Sequence, residues 1–271
     1  MIETRIKTRM KSLEAGGRKA LIPYIIAGDP LPSVTVPAMH AMVEVGVDII
    51  ELGMPFSDPF ADGPVNQRGA ERAIAAGMTL SGVLAAVTEF RLQDKDTPVV
   101  LMGYLNPVIA MGETIFCEAC REAGVDGLLI VDMPPEEAGE LVGSAKYNGL
   151  DLIYLAAPTT TEDRLENINR ATSGYLYYVS VKGVTGSGKL DPAEVATKVL
   201  AMRTRVDVPI CVGFGIRTPA DAAEISVSSD GVVVGSILVS QIEELANRPE
   251  QIPAALQKIL KPMRQAIDAK S

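Results

Sequence analysis

Eight short runs along the chain are almost continuously apolar and rich in β-branched residues. They are ALIPYIIAG (20–28), DIIELGMP (48–55), PVVLMGYLN (98–106) and GLLIVDMP (127–134), then DLIYLAAP (151–158), GYLYYVSV (174–181), PICVGFGI (209–216) and GVVVGSIL (231–238). Between them lie segments at helical spacing: 33–46, 79–93, 112–124, 135–148, 162–172, 191–204, 218–226 and 251–269. Strands without polar alternation are buried on both faces, which predicts a parallel sheet covered by helices. Eight such β/α units predict an α/β chain closed into a (β/α)8 barrel, with an extra helix before the first run and residues 1–271 in one domain. A doubly wound open sheet is the alternative, but it fits the regular repetition less well and no dinucleotide-binding fingerprint is present. Boundary signals agree. Thr160-Thr161-Glu162-Asp163 and Asp191-Pro192 precede helices, and Gly46, Gly77 and Gly124 follow them.

Composition narrows the function. The 271 residues are 47% apolar and 22% charged, ordinary values for a packed domain. A net charge of −9 argues against nucleic acid or an anionic membrane as the main partner. No apolar run reaches the length of a membrane span, and the charged start is no secretory signal, so a cytoplasmic protein is expected. Cys117 and Cys120 form a CxxC on a predicted helix with no second pair, and read as helix residues rather than a metal or redox site. The lone histidine, His40, also falls on a predicted helix. Carboxylates are therefore the first candidates for moving protons.

Two regions carry candidate chemistry. In ELGMPFSDPFADGP (51–64), Glu51 sits on the second predicted strand near its C-terminal end, in phase with Ile49 and Gly53. Active sites of such barrels lie at that end of the strands, so an inward phase aims Glu51 into the mouth. Asp62 follows on a long loop stiffened by Pro55, Pro59 and Pro64, while Asp58 beside Pro59 reads as a turn residue. A buried charge is costly unless used or paired, which favours a functional Glu51. In the second region, glycines cluster after the sixth strand (Gly183, Gly186, Gly188), in the seventh (Gly213, Gly215) and at the eighth (Gly231, Gly235). Gly235-Ser236 opens a short helical stretch, the usual place for a phosphate on backbone N–H groups. GVTGSGKL (183–190) mimics a nucleotide-binding loop, but Leu190 stands where a magnesium-holding Ser or Thr is needed.

These residues resemble the tryptophan synthase α subunit family over essentially the whole chain. The family pattern LG-x-PFSDP-x-ADGP is satisfied throughout 52–64. Further matches are PYIIAGDP (23–30), MGYLNP (102–107), IVDMPPEE (130–137), APTTTEDR (157–164), VSVKGVTG (179–186), GFGI (213–216) and GS (235–236). The resemblance implies retro-aldol cleavage of indole-3-glycerol phosphate to indole and glyceraldehyde 3-phosphate. It implies that Glu51 transfers protons and that Asp62 accepts the indole N–H. Tyr177 matches a position near the glycerol moiety. Tyr24, Met102, Leu129, Val131, Leu155 and Phe214 match positions lining the indole slot. Gly186, Gly215, Gly235 and Ser236 match the phosphate cradle, and Tyr104 and Thr185 are carried over as substrate-binding residues from the matched stretches. No cofactor is implied in this chain. Pyridoxal phosphate belongs to the family's β subunit, which consumes the indole within an α2β2 assembly, and Asp58, Asn106 and Asp132 to Pro134 match positions near that interface.

Two rival readings remain. Lys182, just past the sixth strand, could form an imine with a carbonyl substrate, as in a Schiff-base aldolase. Alternatively the barrel binds a phosphorylated ligand and regulates a partner, although a pure binder would not need a proton carrier in an apolar slot.

Overall fold

The computed structural model describes residues 4–180, 191–213 and 215–270. Nine parallel strand segments form one curled sheet: β1 (Ala20–Ile26), β2 (Ile50–Gly53), β3 (Val99–Gly103), β4 (Gly127–Ile130), β5 (Asp151–Leu152), β6 (Leu155–Ala156), β7 (Leu176–Val179), β8 (Ile210–Gly213) and β9 (Gly231–Val234). Their order is β5-β4-β3-β2-β1-β9-β8-β7-β6. The two ends of that order are consecutive in the chain, so the segment Asp151–Ala156 closes the barrel. It does so through its backbone: Ile153 N–H donates to Leu128 on one side (2.9 Å), and Tyr154 accepts from Tyr177 N–H on the other (3.0 Å). The single strand predicted at 151–158 is thus two short pieces. Ser173 lies beside the first, its hydroxyl accepting from Leu152 N–H (2.9 Å) where a ladder partner would otherwise stand.

Among the described residues, twelve α-helices pack outside or across the ends. They are α1 (Arg5–Ala15), α2 (Pro32–Glu44), α3 (Pro64–Ala75), α4 (Leu80–Phe90), α5 (Leu105–Met111) and α6 (Glu113–Ala123). The second half supplies α7 (Gly139–Tyr147), α8 (Glu162–Ala171), α9 (Pro192–Met202), α10 (Pro219–Ser226), α11 (Ser236–Glu244) and α12 (Ile252–Asp268). None of these is by itself long and apolar enough to cross a membrane. Two were not predicted as helices. The buried face of α3 is Asn66, Gly69, Ala70 and Ala73, too small and polar to register as an apolar stripe. Close packing explains the small residues, since a Cβ on Gly69 would come within 2.6 Å of Ile26 Cδ1. The predicted strand 98–106 stops at Gly103, because Tyr104 turns the chain into α5. Asp132 caps that helix from the neighbouring loop by accepting from Leu105 N–H (2.8 Å).

Two apolar layers result. One lies between sheet and helices; the other fills the barrel, with Ile22, Ile49, Val100, Leu129, Ile153, Tyr175 and Cys211 all buried. Helix α1 plugs the N-terminal end by inserting Ile6, Met10 and Leu13 into the inner layer. Polar groups at that end are held by a repeated device in which an Asp at a strand entrance accepts from the neighbouring strand's backbone. Asp48 takes Leu21 N–H (2.9 Å), Asp126 takes Val99 N–H (2.8 Å) and Asp230 takes Ile210 N–H (2.9 Å). Cations complete each site: Arg264 on Asp48 (2.8 Å), Arg5 and Arg91 on Asp126 (2.7 and 2.8 Å), and Arg203 on Asp230 (2.7 Å).

Arg264 is 5% exposed and Asp48 2%, so removing Arg264 takes the nearest cation from a buried carboxylate and leaves it, among the described residues, only Arg9 at 3.9 Å. Arg264→Leu should cost about 3–5 kcal/mol of unfolding free energy. Urea denaturation measures it; a loss of under about 1 kcal/mol, the worth of an exposed pair, would show that this contact does not brace the barrel floor.

Candidate active site

The inward phase of β2 carries Ile49, Glu51 and Gly53, and Glu51 is 0% exposed. Glu51 lies in register with Tyr24 on β1 and Val100 on β3. Glycines make room beside it. A Cβ on Gly53 would come within 2.6 Å of the Tyr24 hydroxyl, and one on Gly213 would overlap the Tyr177 hydroxyl. Both tyrosine rings can therefore lie across the barrel mouth.

The Glu51 carboxyl has one protein partner among the described residues: Tyr175 donates its hydroxyl to Oε1 at 2.6 Å, and Oε2 is buried without a donor. Burial pushes the carboxyl up from 4.5 to about 8, with the Tyr175 hydrogen bond opposing the shift. At neutral pH Glu51 therefore carries its proton, as a general acid must. Tyr175, Tyr177 and Tyr24 are pushed well above the ordinary phenol range, first by burial and then by neighbouring acidic groups, so all three stay protonated.

Asp62 sits in the turn before α3 and is held on both oxygens. Tyr104 donates to Oδ2 (2.8 Å) and Asn66 Nδ2 to Oδ1 (3.2 Å). Gln67 Nε2 fastens the turn itself by donating to the Asp62 backbone carbonyl (2.9 Å). The Tyr104 ring is flanked by Phe56 and Phe60 at centroid distances of 5.4 and 5.5 Å, and its hydroxyl also accepts from Ala61 N–H (3.1 Å). Burial raises the Asp62 carboxyl above its usual range, while the bonds from Tyr104 and Asn66 lower it.

One cavity joins these groups. Its walls include Glu51, Asp62, Asn66, Tyr24, Met102, Tyr104, Val131, Leu155 and Tyr177, and its far end reaches Gly215, Gly235 and Ser236. The cavity is partly open to solvent, and a few polar groups converge on its largely apolar walls, as in a small-molecule site. Its far end suits an anion. Ser236 is the first residue of α11, whose opening N–H groups have no acceptor within the helix. Leu238 and Val239 both donate back to the Gly235 carbonyl, so the turn is closed behind that end. Gly215 has φ +80°, a conformation L side chains rarely adopt.

Eleven predicted site residues thus meet at one cavity: Glu51, Asp62, Tyr24, Met102, Tyr104, Tyr177, Gly215, Gly235, Ser236 and, from the slot positions, Val131 with Leu155 beside it. Leu129 does not reach the wall; it is fully buried in the layer beneath, with Val100 and Ile153. Thr185, Gly186, Phe214 and Lys182 lie outside the described residues. Tyr175 and Asn66 were missed. Tyr175 was legible in principle, being two residues before Tyr177 on one strand and so on the same face. Asn66 had no such signal without α3. Cys117 and Cys120 are buried on α6, and burial raises both thiols, Cys117 to about 11, which keeps them from acting as thiolates.

The family model for the tryptophan synthase alpha chain matches residues 10–268. The chain belongs to the tryptophan synthase alpha chain family. It is 55% identical over 266 residues to the tryptophan synthase alpha chain of Nitrosococcus oceani, covering 98% of each chain. To that of Azoarcus sp. it is 54% identical, over 98% of this chain and 97% of the relative. Among solved structures, the alpha subunit of Legionella pneumophila superposes with a TM-score of 0.92 at 44% identity, over 98% of this chain and 99% of that one. A chain of Mycobacterium tuberculosis tryptophan synthase in its aminoacrylate-bound form gives 0.86 at 33% identity, over 97% and 99%. Those likenesses cover both ends of the barrel, and a lyase-type enzyme follows from the family.

A carboxyl whose folded value is raised holds its proton more tightly in the folded chain. Glu51 therefore contributes stability that is fully present below pH 4.5 and is lost as pH rises through about 8. Glu51→Gln should remove that part of the fall, up to about 1.4 kcal/mol per pH unit between the two values. Urea unfolding of both proteins across this window tests it. Parallel curves would mean that Glu51 is already ionised in the folded chain.

Proposed function

We propose that the chain cleaves indole-3-glycerol phosphate to indole and glyceraldehyde 3-phosphate. The observation that carries this reading is a protonated, desolvated carboxyl and a doubly anchored second carboxyl in one mostly apolar cavity with an anion-binding end. Breaking the bond between indole C3 and the glycerol carbon needs a proton on C3, so that the ring accepts the electron pair. It also needs a proton taken from the adjacent glycerol hydroxyl, whose oxygen becomes the aldehyde carbonyl.

Glu51 fits the proton transfers. Its Oε1 is tethered by Tyr175, and Oε2 is left to deliver the proton. The carboxylate that results can take the hydroxyl proton, which returns Glu51 to its starting state. Asp62 fits the indole N–H as an acceptor, and its negative charge favours the cation formed when C3 is protonated. Tyr24, Met102, Val131 and Leu155 supply flat and apolar walls for the ring, and Gly215, Gly235 and Ser236 the backbone end for the phosphate. None of these steps calls on a cofactor in this chain.

The indole is proposed to pass to a β subunit carrying pyridoxal phosphate, within an α2β2 assembly. What supports a partner at the mouth is exposure beside the cavity. Phe60 is 64% and Ile109 56% exposed, near the exposed Asp58 and Asn106. Asp132 is partly engaged there already, as the cap of α5.

Indole release from indole-3-glycerol phosphate, with and without a β subunit, tests the reading; no release in either condition would sink it. Glu51→Gln should lose about 10²–10⁴-fold in turnover, the range of a positioned acid–base group. Asp62→Asn keeps size and an acceptor but removes the charge, so kcat should fall more than KM rises. Equal losses in affinity for the ligand and in turnover would make Asp62 an anchor for the ring and nothing more.

A further inference from the structure

We propose that Asn66 is a positioning residue for Asp62, its side-chain amide holding one oxygen of the carboxylate while Tyr104 holds the other. The inference deepens the aldolase reading and rests on it. Asn66 lies in the first turn of α3, is 6% exposed and lines the cavity. Its Nδ2 donates to Asp62 Oδ1 at 3.2 Å.

The chemistry fixes which way the amide faces. An ionised carboxylate only accepts hydrogen bonds, so the NH2 group must turn toward Asp62. The amide oxygen is then buried with no donor among the described residues. Such a choice makes little sense for packing. An apolar side chain of similar shape would fill the same volume without an unmatched polar atom, and the next buried positions of α3, Gly69, Ala70 and Ala73, are small and apolar. The amide is accounted for by what it does to Asp62.

That effect is both geometric and electrostatic. With Oδ1 pinned from α3 and Oδ2 from the residue just before α5, the carboxylate cannot rotate, which keeps its remaining acceptor directions fixed. Helix α3 cannot drift either. Arg72 spans Asp29 (2.8 Å) and Glu243 (2.9 Å), and Arg68 adds a second bond to Glu243 (2.6 Å). Donors to a carboxylate also favour its charged form. Burial opposes that charge, and the hydrogen bonds from Tyr104 before α5 and from Asn66 favour it, while Glu51 from β2 and, facing the same cavity, Tyr24 from β1 and Tyr177 from β7 keep their protons and bring no cation. Asn66 is the neutral donor on this wall that does not itself ionise.

The direct test is a 13C NMR titration of aspartate side-chain carboxyls, with the Asp62 signal assigned by its loss in Asp62→Asn. In Asn66→Leu the Asp62 midpoint should move to higher pH. Asn66→Asp should move it further, because two carboxyls at that spacing share one proton. Gln67→Met, which frees the loop backbone but not the carboxylate, should leave the midpoint in place. With indole-3-glycerol phosphate, Asn66→Leu should lose about tenfold or more in kcat with a smaller change in KM, the effect of a misaligned group. The acid limb of its kcat/KM profile should follow the NMR midpoint. Thermal unfolding of Asn66→Leu should be unchanged or higher; if that variant does not fold, Asn66→Ala gives the same readouts. An unmoved Asp62 midpoint, or an equal shift in Gln67→Met, overturns the proposal. A wild-type chain that releases no indole removes the reaction and leaves the Asn66–Asp62 titration to stand or fall by itself.

Discussion

The site depends on one unfavourable fact: a carboxyl group sits on the inner face of a closed barrel, where water cannot reach it. Burying a charge there costs far more than a single tyrosine hydrogen bond returns, so Glu51 keeps its proton instead. Everything nearby follows from that choice. Tyr175 can donate to Glu51 because burial holds its own proton too, well above the ordinary phenol range. Gly53 and Gly213 give up their side chains so that two more protonated phenols can border the cavity without charge. The result is an acid that needs no cation to tune it.

Such a group can be tolerated only on a scaffold that does not give way. The opposite end of the barrel shows how rigidity is obtained. Asp48, Asp126 and Asp230 stand at strand entrances, each accepting a backbone N–H from the next strand and a guanidinium from outside. Charges there are paired, with Asp48 and Asp126 buried and Asp230 half-buried, whereas the charge at the mouth is avoided by protonation. Buried pairs of this kind are poor sources of net stability but strong determinants of register, since breaking one strands its partner. A fixed register keeps Glu51 opposite Tyr24 and Val100.

Much of this was legible in the chain. Continuous apolar runs named eight staves and their parallel pairing, and the phase of Ile49, Glu51 and Gly53 placed the acid inside. Three things were not. The closing strand is interrupted at Ile153 and Tyr154, because its partners change there in a way that no local pattern encodes. Helix α3 hides because close contact with β1 selects small residues over large apolar ones. Leu129 looked like a wall residue but lies one layer down, since alternation tells which face a side chain takes and not how deep it sits. Tyr175 falls between these cases: the period of two pointed to it, and only the hydrogen bond reveals its use.

The two carboxyls are set apart by how they are held. Both are raised by burial, but Glu51 receives one hydrogen bond on a strand, and Asp62 receives two in a turn braced by α3 and α5. More donors mean more stabilisation of charge, so the same low-dielectric cavity keeps one group as the acid and favours the other as the anion. The asymmetry is written in the supporting residues rather than in the carboxyls themselves. A glutamate and an aspartate eleven positions apart become acid and counter-charge because Tyr175 stands behind the first, and Tyr104 with Asn66 behind the second.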